Sequence, residues 1–407
     1  MPRTLFEHLS PDTGAKRILA LDGGGVKGIL TLGLLKPLED ELRRRAGGDA
    51  DFRLSDYYDL IGGTSTGAII ASGLALGLSV DEVTEIYTRL SPEVFGRTAG
   101  DGVVQSRFDS KRLRRALQGF LGAKTLGSED LKTGLAVFAK RLDDGAAWVI
   151  TNHPLGAHYD QPEGTDVYPR KRYRLVDVVL ASTSPSYGDA VVIDVAFDER
   201  RRSTEKGYFV DGAISASNNP SVQMLMLALD PAQRFGWKPG ADNLMMTSCG
   251  AGNRLPRLAG QAYEALPPSA RAMHAVRALI HDGDMLGVTL LQAFSKPRRP
   301  WPVNAEGGDE SGPTVFGAPL LNYQRIDVML DRKPKAKRKS DPTPPMTHLE
   351  RLIGRELDAD VLEQLDRPGN GHAKNIALLL EIGIAAGRTF AGADYPDPRF
   401  DLASWRA

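Results

Sequence analysis

Ser65 lies at the centre of the pentapeptide GTSTG, between the apolar run YYDLIGG and a long stretch of small and apolar residues. These flanking patterns predict a strand before the serine and a helix after it. At such a junction a serine stands on a sharp turn, glycines such as Gly63 and Gly67 relieve crowding, and the helix start supplies free N–H groups. The same residue types also cap helices without doing chemistry. Ser65 is therefore a candidate nucleophile that needs a second signal.

A second glycine-rich turn occurs earlier in the chain, in ILALDGGGVKGIL. Gly23, Gly25 and Gly28 fit the spacing G-x-G-x-x-G, which in dinucleotide-binding units gives a tight turn around a phosphate. The successive N–H groups of such a turn can equally hold the oxyanion of a tetrahedral intermediate. Both turns follow predicted strands of a parallel sheet, so they would meet at its carboxyl edge and face one reacting carbonyl.

Nucleotide binding at this turn is the alternative with less support. Asp22 directly precedes the glycines, where its carboxylate disfavours a pyrophosphate. The acidic residues that follow, Asp49 and Asp51, fall in a polar loop rather than at a strand end. A non-catalytic nucleotide-binding module therefore stays open behind a catalytic function.

A serine hydroxyl becomes a strong nucleophile only when a base takes its proton, usually a histidine and sometimes a carboxylate. Asp211 ends the short apolar run in YFVDGAIS, and Gly212 lets the backbone turn there and present the carboxylate at the sheet edge. An ordinary aspartate pKa of about 3.9 makes a weak base, so burial must raise that pKa if Asp211 is to act. Among the seven histidines, His274 and His281 follow Asp211 and keep a Ser-Asp-His triad open.

The apolar patterns along the chain predict strands that alternate with helices. Predicted strands lead into the two glycine-rich turns, and further ones occur in GLAVFAKRLDDGAAWVITNH, KGYFVDG and DNLMMTSCGAG. This alternation is typical of a largely parallel sheet covered by helices on both faces. We expect an N-terminal arm over 1–16, a core over 17–225 that continues over 226–294, and a loop-rich and helical extension over 295–407.

The composition of the 407 residues is that of a globular protein, and its positive and negative charges balance. Lys+Arg and Asp+Glu are both 51, so no overall charge favours nucleic acid. The single cysteine, Cys249, lies in an apolar run and is expected to be a buried strand residue rather than a reactive thiol. The first residues lack the apolar core of a secretory signal, and no run of about 18 apolar residues occurs, so we expect a cytoplasmic protein.

Together, the three motifs resemble those of the patatin-like phospholipase family over about residues 17–225. DGGGVKG resembles the family's oxyanion motif, GTSTG its nucleophile elbow, and DGA at Asp211 its catalytic aspartate motif. The intervening ASTSPSYGDAVVIDV is similar to the segment before that aspartate. The resemblance implies a three-layer α/β/α fold with a mostly parallel sheet, in which Ser65 is the nucleophile and Asp211 its general base, without a catalytic histidine.

The resemblance also assigns the remaining residues of the motifs. It implies that the backbone of Gly23, Gly24 and Gly25 holds the oxyanion. Supporting positions are Asp22, Lys27, Gly28, Gly63, Gly67 and Gly212, and for Lys27 we favour a contact that stabilises the turn. The implied reaction is hydrolysis of acyl esters of phospholipids or related lipids to fatty acid and lysolipid, with no metal or other cofactor.

A lipid or membrane surface is the implied partner, with no nucleic acid, and the protein would contact the inner membrane surface from the cytoplasm. The basic stretches YPRKRYR, DERRR and DRKPKAKRK are candidates to attract anionic headgroups. The chain length and LLNYQRIDVML are broadly similar to those of bacterial patatin-like effectors, some of which are switched on by cyclic nucleotides. We therefore hypothesise control by a ligand such as a cyclic nucleotide, or by assembly into a homo-oligomer.

Overall fold

The computed structural model describes residues 3–95, 110–185, 188–198, 203–253, 260–302, 317–330, 345–365, 372–392 and 394–405. The strands are β1 (Lys16–Leu21), β2 (Leu60–Thr64), β3 (Gly134–Arg141), β4 (Ala147–Thr151), β5 (Val191–Asp198), β6 (Ser203–Asp211), β7 (Leu244–Cys249) and β8 (Asn322–Ile326). The helices are α1 (Leu5–Leu9), α2 (Gly28–Arg45), α3 (Leu54–Tyr57), α4 (Thr66–Ala75), α5 (Val80–Phe95), α6 (Ser110–Leu121), α7 (Leu175–Thr183), α8 (Ser221–Leu229), α9 (Gly260–Glu264), α10 (Pro268–Ala293), α11 (His348–Ile353), α12 (Ala359–Leu365) and α13 (Ala373–Phe390).

These strands form one mixed sheet in the order β5-β6-β3-β2-β1-β7-β8, with β4 also paired to β3. Its centre, β3-β2-β1-β7-β8, is parallel. The pairs β3–β4, β3–β6 and β5–β6 are antiparallel. The predicted parallel sheet is thus confirmed for the centre, while the hairpins β3–β4 and β5–β6 add antiparallel strands because a hairpin needs no crossover helix.

The side chains of β1 show that helices cover both faces of the sheet. Leu19 and Leu21 belong to one buried cluster, which includes residues of α2, α4, α7 and α13. Ile18 and Ala20 belong to a second cluster, built with α8 and with loop residues such as Trp237. Alternate side chains of a strand point to opposite faces, so the two clusters lie on opposite sides of the sheet. The fold is therefore a three-layer α/β/α arrangement, as expected.

The range 295–407 contributes directly to this body. It contains β8, which extends the parallel centre of the sheet, and α13, which packs along α2. The two helices approach so closely at Gly383 that a Cβ there would lie 2.3 Å from the carbonyl oxygen of Leu30 and 2.9 Å from the Cα of Gly33. The helical character predicted for this range is present, and β8 is a strand that the sequence patterns did not indicate.

The N-terminal segment is anchored by the buried carboxylate of Asp59, which lies just before β2. The ring Nδ1 of His8 is 3.1 Å from it, and the guanidinium groups of Arg3 and Arg17 lie 2.5 Å and 3.0 Å from its oxygens. A buried carboxylate with several charged and hydrogen-bonding partners avoids most of its desolvation cost. The segment that contains Arg3 and α1 is therefore attached to the edge of the sheet at which β2 begins.

Two further expectations concern β7 and the helices. Cys249 is the buried last residue of β7, and burial raises the pKa of its thiol, which confirms a structural role. Of the helices within the described ranges, none combines the length and apolarity that crossing a bilayer requires.

Candidate active site

Ser65 occupies a strained turn between β2 and α4. Its φ of 54° and ψ of −124° lie in a region that residues with a side chain rarely adopt. Such a conformation costs of order 1–3 kcal/mol and persists only where the surroundings impose it. The predicted strand, sharp turn and helix are confirmed, and the turn raises the hydroxyl of Ser65 above the carboxyl edge of the sheet.

The hydroxyl of Ser65 donates a hydrogen bond of 2.7 Å to Oδ2 of Asp211. Oδ1 of the same carboxylate accepts the N–H of Ala213 at 2.9 Å. Desolvation raises the pKa of Asp211 to about 6, against the smaller lowering effects of the Ala213 N–H and the Ser65 hydroxyl. The carboxylate thus has the raised pKa that a general base for Ser65 requires.

Strand β3 explains why these two residues meet. In register, Phe138 pairs with Thr64 at the end of β2, and the next residue, Ala139, pairs with Asp211 at the end of β6. Consecutive residues of one strand therefore place the serine turn and the aspartate side by side. The antiparallel pairing of β6 is essential here, because it directs the end of β6 toward the end of β2.

Residues at the C-terminal end of α7 hold the backbone of Ser65 and of Asp211 by hydrogen bonds. Oγ of Ser182 accepts the backbone N–H of Ser65 at 2.8 Å and donates to the carbonyl of Phe138 at 2.6 Å. The carbonyl of Ser184 accepts the N–H of Asp211 at 2.6 Å. The serine turn, the aspartate and β3 are therefore joined by one hydrogen-bonded segment, which lies within the ASTSPS stretch.

The glycine-rich turn after β1 lies against the same site. The N–H of Gly23 donates to the carbonyl of Asn218 at 3.0 Å, and the N–H of Gly24 donates to Oγ1 of Thr66 at 3.2 Å. The N–H groups of Gly25 and Thr66 have no hydrogen-bond acceptor among the described residues. Thr66 follows Ser65 at the start of α4, where the first N–H groups of a helix lack partners within the helix.

The close approach of the two turns requires glycine at Gly23 and Gly67. A Cβ on Gly23 would lie 2.5 Å from Oδ1 of Asn218 and 3.3 Å from the Cβ of Ser65. A Cβ on Gly67 would lie 2.4 Å from the carbonyl oxygen of Leu21. The other motif glycines, Gly28, Gly63 and Gly212, are likewise tightly enclosed. The glycines of the separate motifs thus allow β1, β2 and β6 to bring their turns together.

Asp22 and Lys27 support the glycine turn through the second half of the chain. The carboxylate of Asp22 accepts two hydrogen bonds, of 2.9 Å and 2.6 Å, from the guanidinium of Arg325 on β8. Nζ of Lys27 donates to the carbonyl of Gly252 at 3.1 Å. Both motif residues therefore tie the start of α2 to the loop after β7 or to β8.

The histidines considered for a triad do not join Ser65 in this structure. Neither Ser65 nor Asp211 has a hydrogen bond to a histidine within the described residues. His274 lies beside the ring of Tyr263, with 6.2 Å between ring centroids. His281 is half-buried on α10, where desolvation lowers its pKa. The geometry assembles a serine and an aspartate, with both histidines elsewhere.

Several residues at the site were not singled out from the sequence. Sequence reasoning could have found Thr66, because the residue after an elbow nucleophile is a standard N–H donor. Ser182 and Asn218 are ordinary polar residues near motif segments, and Arg325 is distant in sequence from Asp22. Only the sheet topology and the packing of α7 and β8 bring them to the site.

The described residues contain no group of three or more His, Cys, Asp or Glu side chains arranged to hold a metal ion. The arrangement supplies a strained serine, a hydrogen-bonded carboxylate of raised pKa, and two free backbone N–H groups close by. Acyl transfer to a serine needs groups of these kinds, namely a nucleophile, a base and donors for a developing negative charge. This geometry on an α/β sheet matches what a serine acyl hydrolase requires.

Comparison with known sequences places this geometry in a family. The sequence profile of the patatin-like phospholipase family matches residues 19–224, which is about half of the chain. The matched range runs from β1 into α8, and it contains the glycine-rich turn, Ser65 and Asp211. The chain belongs to the patatin-like phospholipase family, as the motifs predicted.

Three curated relatives illustrate the range of the family. A cGAMP-activated phospholipase of Vibrio cholerae is 29% identical over 229 residues, covering 53% of this chain and 58% of the relative. A cUMP-AMP-activated phospholipase of Escherichia coli is 32% identical over 208 residues, covering 51% and 57%. Patatin-1-Kuras 2 of Solanum tuberosum is 34% identical over 246 residues, covering 54% and 63%. The chain thus spans somewhat under two thirds of the length of each of these relatives.

The raised pKa of Asp211 predicts a pH dependence for the reactivity of Ser65. Only the ionised carboxylate accepts the serine proton, so the rate of Ser65 modification by a fluorophosphonate should fall roughly tenfold per pH unit below about 6. Above that pH the rate should level off. Mass spectrometry of the modified chain measures the rate between pH 4.5 and 8.

The matched variant for this experiment is Asp211→Asn, which keeps the side-chain shape but cannot ionise. Its modification should be slow and should show no inflection near pH 6. A wild-type rate that does not change between pH 5 and 7 would contradict the role of Asp211 as the base.

Proposed function

We propose that the chain is a serine lipid acyl hydrolase, which cleaves acyl esters of phospholipids or related lipids to free fatty acid and lysolipid. The observation on which this rests is the 2.7 Å hydrogen bond from Ser65 Oγ to Asp211 Oδ2 at a strained strand-to-helix turn. Membership of the patatin-like phospholipase family and the phospholipases among its relatives support the lipid substrate.

In the first half of the reaction, Ser65 Oγ attacks the ester carbonyl carbon while its proton passes to Oδ2 of Asp211. The resulting tetrahedral intermediate carries one negative charge on the former carbonyl oxygen. When the intermediate collapses, the bond to the alcohol oxygen breaks and that oxygen takes the proton from Asp211. Lysolipid leaves, and the acyl group remains on Ser65 as an ester.

In the second half, a water molecule replaces the alcohol. Asp211 accepts one proton of the water as its oxygen attacks the acyl carbon, and it returns that proton to Ser65 Oγ when the acyl-enzyme bond breaks. The fatty acid leaves and both residues regain their starting protonation. A single carboxylate thus accepts and returns a proton in each half of the reaction, without a histidine between serine and aspartate.

The oxyanion donors that we propose are the N–H groups of Gly25 and Thr66. Both lack an acceptor among the described residues, and they belong to the two turns that meet at Ser65. Of the other two glycines of the predicted oxyanion motif, Gly23 donates to Asn218, and Gly24 makes a longer contact to Thr66. In this proposal Gly23 and Gly24 shape the turn, and Gly25 supplies the donor.

Substitution of either reacting residue should remove fatty-acid release. Ser65→Ala and Asp211→Asn are each expected to lower kcat by at least about 10³-fold, and the double variant should be no slower than the slower single one, since the residues act as a unit. The measurement is fatty-acid release from mixed phospholipid vesicles and from a soluble short-chain ester.

Controls for this experiment separate the dyad from alternatives. Ser128→Ala and Asp230→Asn change the same residue types away from Ser65 and should leave the rate unchanged. The double change His274→Ala with His281→Ala should also preserve activity, whereas a Ser-Asp-His triad would lose it. Nucleotide binding that survives Ser65→Ala, in a chain without hydrolysis, would support the nucleotide-binding alternative instead.

We further propose that the lipid bilayer contacts the exposed apolar face of α10. Met273, Val276, Leu279 and Leu286 expose between 44% and 70% of their surface. At 3.6 residues per turn they lie on one side of the helix, and the charged residues of α10 fall outside that arc. α10 also packs against the turn Gly212–Ile214, which follows the catalytic aspartate. The apolar face therefore adjoins the site that must receive a lipid.

Two residues of the basic stretches make contacts within the chain. In YPRKRYR, Arg170 packs on the ring of Trp148 at 4.8 Å, and Lys171 pairs with Asp160 at 2.6 Å. DRKPKAKRK and most of DERRR lie outside the described residues. We therefore base the proposal of bilayer contact on the apolar face of α10, and a contribution of the basic stretches stays a prediction.

Charges on the apolar face should reduce lipid hydrolysis selectively. Leu279→Glu combined with Leu286→Glu should lower vesicle binding and vesicle hydrolysis by on the order of tenfold or more, because buried leucines contribute about 1.5–3 kcal/mol each. Hydrolysis of a soluble ester should be unchanged. Leu155→Glu, at a leucine 58% exposed after β4, is the matched control. Equal losses on both substrates, or loss of a dimer by light scattering, would contradict bilayer docking.

A cyclic dinucleotide is the activator that we propose, because the names of two bacterial relatives state activation by cGAMP and by cUMP-AMP. Addition of one of these two nucleotides should raise the rate of ester hydrolysis by about 5- to 150-fold, the usual range of allosteric coupling. Light scattering on the same samples shows whether activation accompanies homo-oligomer formation. Full activity without nucleotide, unchanged by either compound, would contradict this control.

A further inference from the structure

Asp284 of α10 directs its carboxylate at the segment that follows the catalytic aspartate. Oδ2 accepts the side-chain Nδ2–H of Asn218 at 2.6 Å, and Oδ1 accepts the backbone N–H of Asn219 at 2.9 Å. No Lys, Arg or His of the described residues lies within 4.0 Å of this carboxylate. Both oxygens of Asp284 are therefore used to hold two consecutive asparagines.

Asn218 in turn contacts the glycine-rich turn. Its carbonyl accepts the N–H of Gly23 at 3.0 Å. Its side-chain Oδ1 would lie only 2.5 Å from a Cβ on Gly23, so it packs closely on that glycine. Gly23 also lies beside Ser65, since its Cβ would be 3.3 Å from the Cβ of the serine. Asn218 thus bridges Asp284 and the backbone next to the nucleophile.

The environment of Asp284 shows what this arrangement costs. Desolvation raises its pKa to about 7, and the negative charge of Asp22 adds to the increase, while the hydrogen bond from Asn218 and the charge of Arg325 lower it. A carboxylate without a cationic partner in such a place is unfavourable compared with an apolar residue of similar size. Among the described residues, its two N–H donors and the charge of Arg325, which lies beyond ion-pair distance, offset part of this cost.

From this geometry we propose that Asp284 is a positioning residue for the oxyanion turn: it orients Asn218, and Asn218 fixes Gly23 so that the N–H of Gly25 faces the reacting carbonyl. This inference rests on the proposed acyl hydrolase function. Asp284 lies outside residues 19–224, the range of the family match. The catalytic turn is therefore completed by a helix from the second half of the chain.

The test compares Asp284→Asn and Asp284→Ala with Asp282→Asn, a matched change two residues away on the exposed side of α10. In Asp284→Asn one acceptor oxygen becomes an NH₂ donor that faces another N–H. We expect kcat on a soluble ester to fall about 10- to 100-fold in both Asp284 variants, as for a small displacement of a reacting geometry, with KM nearly unchanged. Asp282→Asn should keep the wild-type kcat.

A double-mutant cycle identifies the route of the effect. Asn218→Ala alone should lower kcat to a similar extent, and adding it to Asp284→Ala should cause little further loss, because the two act in series. Fully additive losses would overturn the proposed route through Asn218. A fall in kcat that tracks a lower melting temperature, or an unchanged kcat in the Asp284 variants, would overturn the positioning role.

Amide hydrogen exchange provides a readout that does not depend on hydrolysis. Peptides that cover residues 21–29 should exchange faster in Asp284→Asn than in the wild type, and Asp282→Asn should match the wild type. Unchanged exchange in this segment overturns the proposal even if activity falls. A wild-type chain that shows no hydrolysis and no Ser65 modification refutes the proposed function separately, and the exchange result then decides whether Asp284 positions the turn.

Discussion

The hydrogen bond between Ser65 and Asp211 is the interaction on which the arrangement of the site depends. The two residues are far apart in sequence, and they meet because β3 pairs with the end of β2 through Phe138 and with the end of β6 through Ala139. A wholly parallel sheet would not do this, since β6 must run in the opposite direction to direct its last residue toward the serine. The mixed topology is thus a requirement of the site.

The site has an energetic cost that its neighbours offset. Ser65 adopts a positive φ, and the carboxylate of Asp211 is desolvated enough to raise its pKa to about 6. Ser182 and Ala213 supply hydrogen bonds to the two groups, and the glycines allow backbones to approach where any side chain would collide. The same features that cost stability hold the serine on a strained turn and raise the pKa of the aspartate, which is the usual balance at a reactive site.

The second half of the chain is part of this catalytic body. β8 supplies Arg325, which holds Asp22 before the glycine turn, and α13 packs closely on α2 through Gly383. α10 presents an apolar face to the outside and Asp284 to the asparagines beside Gly23. The family match ends within α8, yet the residues that support the glycine turn extend well beyond it. The two surfaces of α10 for which we propose a role, one in bilayer contact and one in oxyanion geometry, therefore belong to the same helix.

The local signals in the sequence were sufficient to single out Ser65 and Asp211, which the structure brings within hydrogen-bonding distance. GTSTG, the glycine-rich turn and the Asp-Gly pair at Asp211 each combine a residue type with an apolar strand pattern, and such short-range information determines turns and strand ends. The same signals indicated an α/β sheet with two covered faces. They left the nucleotide-binding and triad alternatives open, because a short motif does not specify what packs against it.

Tertiary structure alone decided the direction of β5 and β6, the strand β8, and the contacts of Arg325 and Asp284 with the first half of the chain. It also decided that Gly25, rather than Gly23 or Gly24, has an N–H without an acceptor in the part of the chain that the structure describes. These features depend on pairings between residues distant in sequence, and neither residue of such a pair identifies its partner. The sequence by itself determined which groups can react, whereas the packing of distant elements determined which of them meet.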